Sequence, residues 1–127
     1  MNIKIKKILK KKNKSKIVCL TAYSKNFAEE VDKYADITLV GDSLGSVLYN
    51  YNSTKKVTLT NMIDHSRSVR PGVKKSLMVV DMPYDTYSSN NSAFKNAKKI
   101  LKETKCDAVK LEGGKKIINQ IKYLIKN

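Results

Sequence analysis

Apolar positions along the chain change period repeatedly, and each change marks an element. After a basic segment with helical spacing (Ile3 to Lys12), Lys16-Ile-Val-Cys-Leu-Thr-Ala22 is a short run of strand formers. Ser24 stands where a helix cap belongs, and Phe27, Ala28, Val31 and Tyr34 follow at helical spacing. Asp36-Ile-Thr-Leu-Val40 predicts a second strand, ended by Gly41, and a long polar loop is expected from Asp42 to Lys56. Thr58 or Thr60 caps the next helix, through Met62, Ile63, Ser66 and Val69, which Pro71-Gly72 terminates.

The unit then repeats. Ser76-Leu-Met-Val-Val80 predicts a third strand, broken at Asp81-Met82-Pro83 because proline cannot continue a central ladder. Ser92 is expected to cap a helix through Phe94, Ala97, Ile100 and Leu101. Ala108-Val-Lys-Leu111 predicts a fourth strand, stopped by Gly113-Gly114, before a final amphipathic segment of Ile117, Ile118, Ile121, Leu124 and Ile125. Strands alternating with helices imply an α/β fold with a parallel sheet and right-handed crossovers. Two architectures fit: a small doubly wound sheet, or about four βα units of a (βα)8 TIM barrel. Such barrels take roughly 250 residues, so a chain of 127 is about half of one. The expected organisation is a basic lead-in over 1–15 and one domain over 16–127.

Composition narrows the function classes. A hydrophobic fraction of 41% supports a packed core. No apolar run approaches the ~20 residues that span a bilayer, and no signal-like segment opens the chain, so the cytoplasm is the expected compartment. Cys19 and Cys106 lack any CxxC or Cys/His context, which leaves zinc and disulfides without support; both are expected to be buried. The net charge of +15, from 26 basic and 11 acidic residues, raises a nucleic-acid or acidic-partner binding module as an alternative. Against it, Arg67 and Arg70 are the only arginines, and the lysines are scattered along the chain rather than gathered on one helix, apart from a cluster between Lys4 and Lys16.

In either architecture ligands bind at the carboxyl ends of the strands. Three successive strands end there in a carboxylate: Asp42, Asp81 and Glu112. Strand alternation puts Lys110 and Glu112 on one face. Hard cations such as Mg2+ take one or two carboxylates plus substrate oxygens and water. Asp42 and Asp81 could supply the two, with Glu112 joining directly or through water. Lys110 would offset the charge and grip a substrate carboxylate, while the metal polarises an adjacent carbonyl, as enolisation of an α-keto acid requires. A single Asp after a strand is more often a turn or cap residue; three of them beside a lysine favour the chemical reading. Ser43 lacks a nucleophile-elbow context, though its hydroxyl and amide could hold a carboxylate. His65 sits well inside a predicted helix, away from any strand end, and reads as a surface or packing residue. Tyr49, Tyr51, Tyr84 and Tyr87 follow strand ends, where aromatic residues line pockets or simply pack. No GxGxxG or Walker sequence points to nucleotide binding.

These stretches also carry a resemblance. Thr21-Ala-Tyr23, Leu39-Val-Gly-Asp-Ser-Leu-Gly45, Asn52-Ser-Thr54, Val57-Thr58, Val69-Arg70, Asp81-Met-Pro83, Ala93-Phe94 and Val109-Lys-Leu-Glu-Gly-Gly114 run in order, at family spacing, from about Lys16 to the last residue. They resemble the ketopantoate hydroxymethyltransferases, (βα)8 barrels of the phosphoenolpyruvate-binding superfamily type. The resemblance implies a cytoplasmic homo-oligomeric enzyme of pantothenate biosynthesis, moving a hydroxymethyl group from 5,10-methylenetetrahydrofolate to 3-methyl-2-oxobutanoate to give 2-dehydropantoate. By match to the family's motifs, Asp42 and Asp81 would bind Mg2+ and the substrate, Glu112 would complete the metal shell, and Ser43 and Lys110 would hold the keto-acid carboxylate. The family's general base is a glutamate on a later strand, so no catalytic base is expected here and the chain alone is expected to be a poor enzyme. A related Mg2+-dependent α-keto acid lyase of the same superfamily is the nearest alternative.

Overall fold

A computed structural model describes residues 2–127; Met1, the first residue of the lead-in, lies outside the described residues. Four parallel strands form one sheet: β1 (Cys19–Thr21), β2 (Ile37–Val40), β3 (Leu77–Asp81) and β4 (Ala108–Lys110), in spatial order β1-β2-β3-β4. Six α-helices accompany them: α1 (Ile3–Lys11), α2 (Lys25–Tyr34), α3 (Leu44–Tyr49), α4 (Leu59–Val69), α5 (Asn90–Thr104) and α6 (Ile118–Lys126). The sheet is singly wound, each strand beside its sequence neighbour, whereas a doubly wound sheet reverses its order at a switch point. This parallel four-stranded sheet fits half of a (βα)8 barrel.

Register and burial together define two faces. Thr38 pairs with Met78 and Val40 with Val80, and all four are fully buried beneath the helices. There they meet Ala28 and Val31 of α2, Met62 and Val69 of α4, and Ala97 and Ile100 of α5. The opposite face carries Leu39 and Val79, only half-buried, and ends at Asp81, paired in register with Lys110.

Local chemistry accounts for the helix starts. Thr58, not Thr60, caps α4 in a reciprocal capping box with Asn61. Ser89 caps α5, and Ser92, expected to be the cap, is its reciprocating third residue. Ser24 stands before α2 but its side chain makes no capping bond. The region expected to be loop from Asp42 to Lys56 holds α3 and a short 3-10 turn, Thr54–Lys56. The helical period was hidden because α3 is only six residues long. The first strand is shorter than its apolar run, and Cys19 lies exposed on it rather than buried, whereas Cys106 is buried as expected.

The amino ends of the strands are tied down by aspartates. Asp32, buried in α2, accepts from the amides of Lys74, Lys75 and Ser76 (2.9, 2.9 and 2.8 Å) and from the Ser76 hydroxyl (2.6 Å), just before β3. Asp36 accepts from the Val18 amide and Asp107 from the Met78 amide, each at 2.9 Å. The lead-in helix α1 is part of this end, through Lys4 to Asp107 at 3.3 Å and Lys11 to Asp36 at 2.6 Å. Two lysines of the basic cluster are thus committed to internal pairs.

Candidate functional site

The site is built at the opposite, carboxyl ends. β3 delivers Asp81 as its last residue, 4% exposed, where a carboxylate needs partners to be tolerated. It has two. The Lys110 ammonium donates to one carboxylate oxygen at 2.6 Å, and the Asp42 amide donates to the other at 3.2 Å. Burial pushes the Asp81 carboxyl above the usual carboxylate range, while Lys110 and the Asp42 amide pull it back. Burial also works against the Lys110 ammonium, but the Asp81 carboxylate overrides it and holds Lys110 above its ordinary value. At 2.6 Å the pair has the geometry of a charge-assisted bond.

Asp42 and Ser43 sit in the turn from β2 into α3. Gly41 leaves room for the site side chains, since a Cβ there would lie 3.0 Å from the Ser43 hydroxyl and 3.4 Å from Asp81 Oδ2. Gly45 lets α3 settle on the following loop, because a Cβ there would meet Val57 at 2.5 Å. Ser43 Oγ lies 2.7 Å from the Tyr23 hydroxyl. Beyond β4, Glu112 is exposed, and its backbone carbonyl accepts from the Tyr87 hydroxyl at 3.0 Å. A cleft of about 230 Å³ joins Asp42 to Glu112, walled by Thr54, Lys55, Tyr84 and Tyr87. The Lys55 ammonium lies 4.9 Å from the centre of the Tyr84 ring. A larger groove of about 570 Å³ lies between α5 and α6, with no carboxylate among its lining residues.

Every site residue expected from the sequence falls at this one end. Asp42, Ser43, Asp81 and Lys110 are directly or nearly linked, and Glu112 is joined to them across the cleft. Among the described residues no group of three or more carboxylate, imidazole or thiol side chains stands together as a metal-binding cluster. The donor set present is two neighbouring aspartates with Glu112 at the rim, all hard oxygen ligands. Oxygen ligands of this kind are the type a hard cation such as Mg2+ takes, one or two carboxylates at a time with water and substrate oxygens filling the rest.

Three contributors escaped the sequence reading. Lys55 reaches the cleft from the segment expected to be loop. Tyr23, two residues past β1, is within hydrogen-bonding distance of Ser43; its place on the alternation Cys19, Thr21, Tyr23 was the available signal. His65, expected to be a surface or packing residue, is held on both ring nitrogens: Nε2 lies 2.7 Å from the Tyr49 hydroxyl and Nδ1 lies 2.9 Å from the Tyr23 carbonyl oxygen.

Comparison with known proteins gives the family. The ketopantoate hydroxymethyltransferase family profile matches residues 2–127. A 3-methyl-2-oxobutanoate hydroxymethyltransferase of Pelagibacter ubique is 67% identical over the whole chain and 49% of its own length. The enzyme of that name from Rhizobium etli is 52% identical, over 87% of this chain and 41% of its own length. That from Chelativorans is 48% identical, over 92% and 42%. The chain therefore spans about half the length of the curated relatives it matches. On the match across residues 2–127, and on the identity to these relatives, the chain belongs to the ketopantoate hydroxymethyltransferase family.

Proposed function

We propose that these residues form the metal and keto-acid part of a 3-methyl-2-oxobutanoate hydroxymethyltransferase in a (βα)8 barrel of the phosphoenolpyruvate-binding superfamily type. The one-carbon donor in this reading is 5,10-methylenetetrahydrofolate and the product is 2-dehydropantoate. The observation that carries it is Asp81, buried at the end of β3 between the Lys110 ammonium and the Asp42 amide.

Asp42 and Asp81 would hold Mg2+, with Glu112 completing the shell across the cleft. When bound, the metal supplies Lewis acidity, which polarises the keto carbonyl and acidifies the neighbouring carbon. Lys110, whose side chain is 46% exposed, holds its ammonium on Asp81, where it would pair with the substrate carboxylate as well. Ser43 offers a hydroxyl to the same carboxylate. Tyr84 and Tyr87 wall the cleft and Lys55 places a cation at its rim, which suits an anionic co-substrate. The proton-abstracting carboxylate comes from outside these residues. The whole protein in this reading is a cytoplasmic homo-oligomer; no described helix is long and apolar enough to cross a membrane.

The test uses the whole protein that contains this chain, with 3-methyl-2-oxobutanoate, 5,10-methylenetetrahydrofolate and Mg2+, following 2-dehydropantoate by mass spectrometry. Asp81→Asn should weaken Mg2+ binding measured by calorimetry and lower turnover by about 100-fold or more, as loss of a metal carboxylate implies. Turnover that survives Asp81→Asn undiminished would refute the assignment.

A further inference from the structure

His65 is the chain's only histidine, and it lies on α4, one layer behind the strand ends. Both ring nitrogens are nonetheless engaged, and both partners lead to the same place. The Tyr23 carbonyl, 2.9 Å from Nδ1, can only accept, so Nδ1 carries a proton. Nε2 of the neutral ring then has a lone pair, and the Tyr49 hydroxyl 2.7 Å away donates to it. The contacts thereby select the Nδ1–H tautomer.

From this ring two routes run to the Asp42–Ser43 turn. Tyr23 leaves the sheet just after Ala22, whose amide makes the last ladder bond, to Leu39 O at 3.0 Å. Its hydroxyl then reaches Ser43 Oγ at 2.7 Å. Tyr49 is the last residue of α3, the short helix that Ser43 begins. One ring therefore pins the strand end on one side of the turn and the helix on the other. A hydroxyl has one proton to give and two lone pairs to accept with. If Ser43 accepts from Tyr23, its own proton is left for an anionic acceptor; with the bond reversed, Ser43 has no donor to offer a carboxylate.

We infer that His65, as its Nδ1–H tautomer, is a positioning residue that fixes Tyr23 and Tyr49, so that the Tyr23 hydroxyl donates to Ser43 and leaves the Ser43 proton directed at the substrate's α-keto carboxylate. The inference rests on the proposed keto-acid site and extends it to residues that do not touch substrate. Geometry gives a specific test, because the amide nitrogen of asparagine stands near Nδ1 of histidine and that of glutamine stands near Nε2.

The experiment uses the whole protein and two readouts. In steady-state turnover, H65Q keeps the reach toward Tyr49 but loses the Tyr23 bond. It should raise KM for 3-methyl-2-oxobutanoate about tenfold with kcat changed less than about threefold, the scale of one bond to a charged group. H65N retains the Tyr23 bond and should restore KM to within about threefold of wild type. Y23F and S43A should each raise KM, and the double variant should be no worse than S43A, since both act through one hydroxyl. Equal KM values for H65N and H65Q, or a Y23F effect that multiplies with S43A, would overturn the inference while wild-type turnover still upholds the keto-acid site. Independently of turnover, 15N-histidine spectra, with the His65 signal identified by its loss in H65N, should show the Nδ1–H tautomer. An Nε2–H ring would overturn the inference even in a protein that proved to have another substrate.

Discussion

Asp32→Asn should destabilise the protein by about 3 kcal/mol at neutral pH without altering the chemistry at the strand ends. The carboxylate is 7% exposed and has four donors on its two oxygens: three consecutive backbone amides, Lys74 to Ser76, and the Ser76 hydroxyl. Asparagine keeps one acceptor oxygen and turns an NH2 group towards the remaining donors. At least two charge-assisted bonds are lost, at about 1.5 kcal/mol each, and the displaced amides have little water to turn to. The hydrogen bonds from Ser76, Lys75 and Lys74 outweigh burial, which alone would raise the pKa, and hold Asp32 below the usual carboxylate value. A folded-state pKa below the unfolded one means that this stabilisation is complete above about pH 4, the unfolded value, and fades as pH falls through the folded value. Urea unfolding of wild type and variant, followed by circular dichroism from pH 7 down to pH 2, measures the difference directly. That difference should be largest at pH 7 and shrink below pH 4. Asp36 and Asp107 are also held below the usual range, but they are common to both proteins and cancel. A difference under about 1 kcal/mol at pH 7, or one constant across the titration, would refute the account of Asp32 as the anchor of β3.

Two further outcomes follow from local geometry. Ser89→Ala should cost about 1 kcal/mol by removing the α5 cap, read as a lower urea midpoint with unchanged slope, because Ser89 Oγ accepts from the Ser92 amide at 3.1 Å. Gly41→Ala places a methyl 3.0 Å from Ser43 Oγ and 3.4 Å from Asp81 Oδ2, so it should raise KM for the keto acid about fivefold while the urea midpoint barely moves.

What could be read from the sequence depended on whether the determining interactions were local. Strand formers and helical spacing placed all four strands to within a few residues, because period and turn glycines are properties of neighbouring positions. The cap of α5 was misplaced because Ser89 and Ser92 are both capping residues three apart, and a capping box uses both. α3 was missed because six residues cannot display a helical period; what holds it is its fit onto Val57 through Gly45. The carboxylates at strand ends were legible because parallel strands fix where their ends lie. His65 was not, since its partners Tyr23 and Tyr49 are brought to it by the packing of α4 on the sheet, over separations of 42 and 16 residues.

The aspartates show why composition alone could not have located the site. At the amino ends, Asp32 accepts from three backbone amides and a hydroxyl, while Asp36 and Asp107 each accept from one amide and from side chains, and all three are held below the ordinary carboxylate range. Asp32 is the extreme case, with four donors on two oxygens, so it secures β3 and has little left to ligate anything further. At the carboxyl ends, among the described residues, the carboxylate oxygens of Asp42 and Glu112 take no hydrogen bond, although both border the same cleft. Asp81 stands between these two conditions, buried yet satisfied by one movable lysine and one amide. A lysine can turn from an aspartate to a substrate carboxylate at little cost, whereas three backbone amides cannot leave Asp32 without dismantling β3. Between Asp32 and Asp81 the difference lies in how many of the donors belong to the backbone: three for the first, one for the second.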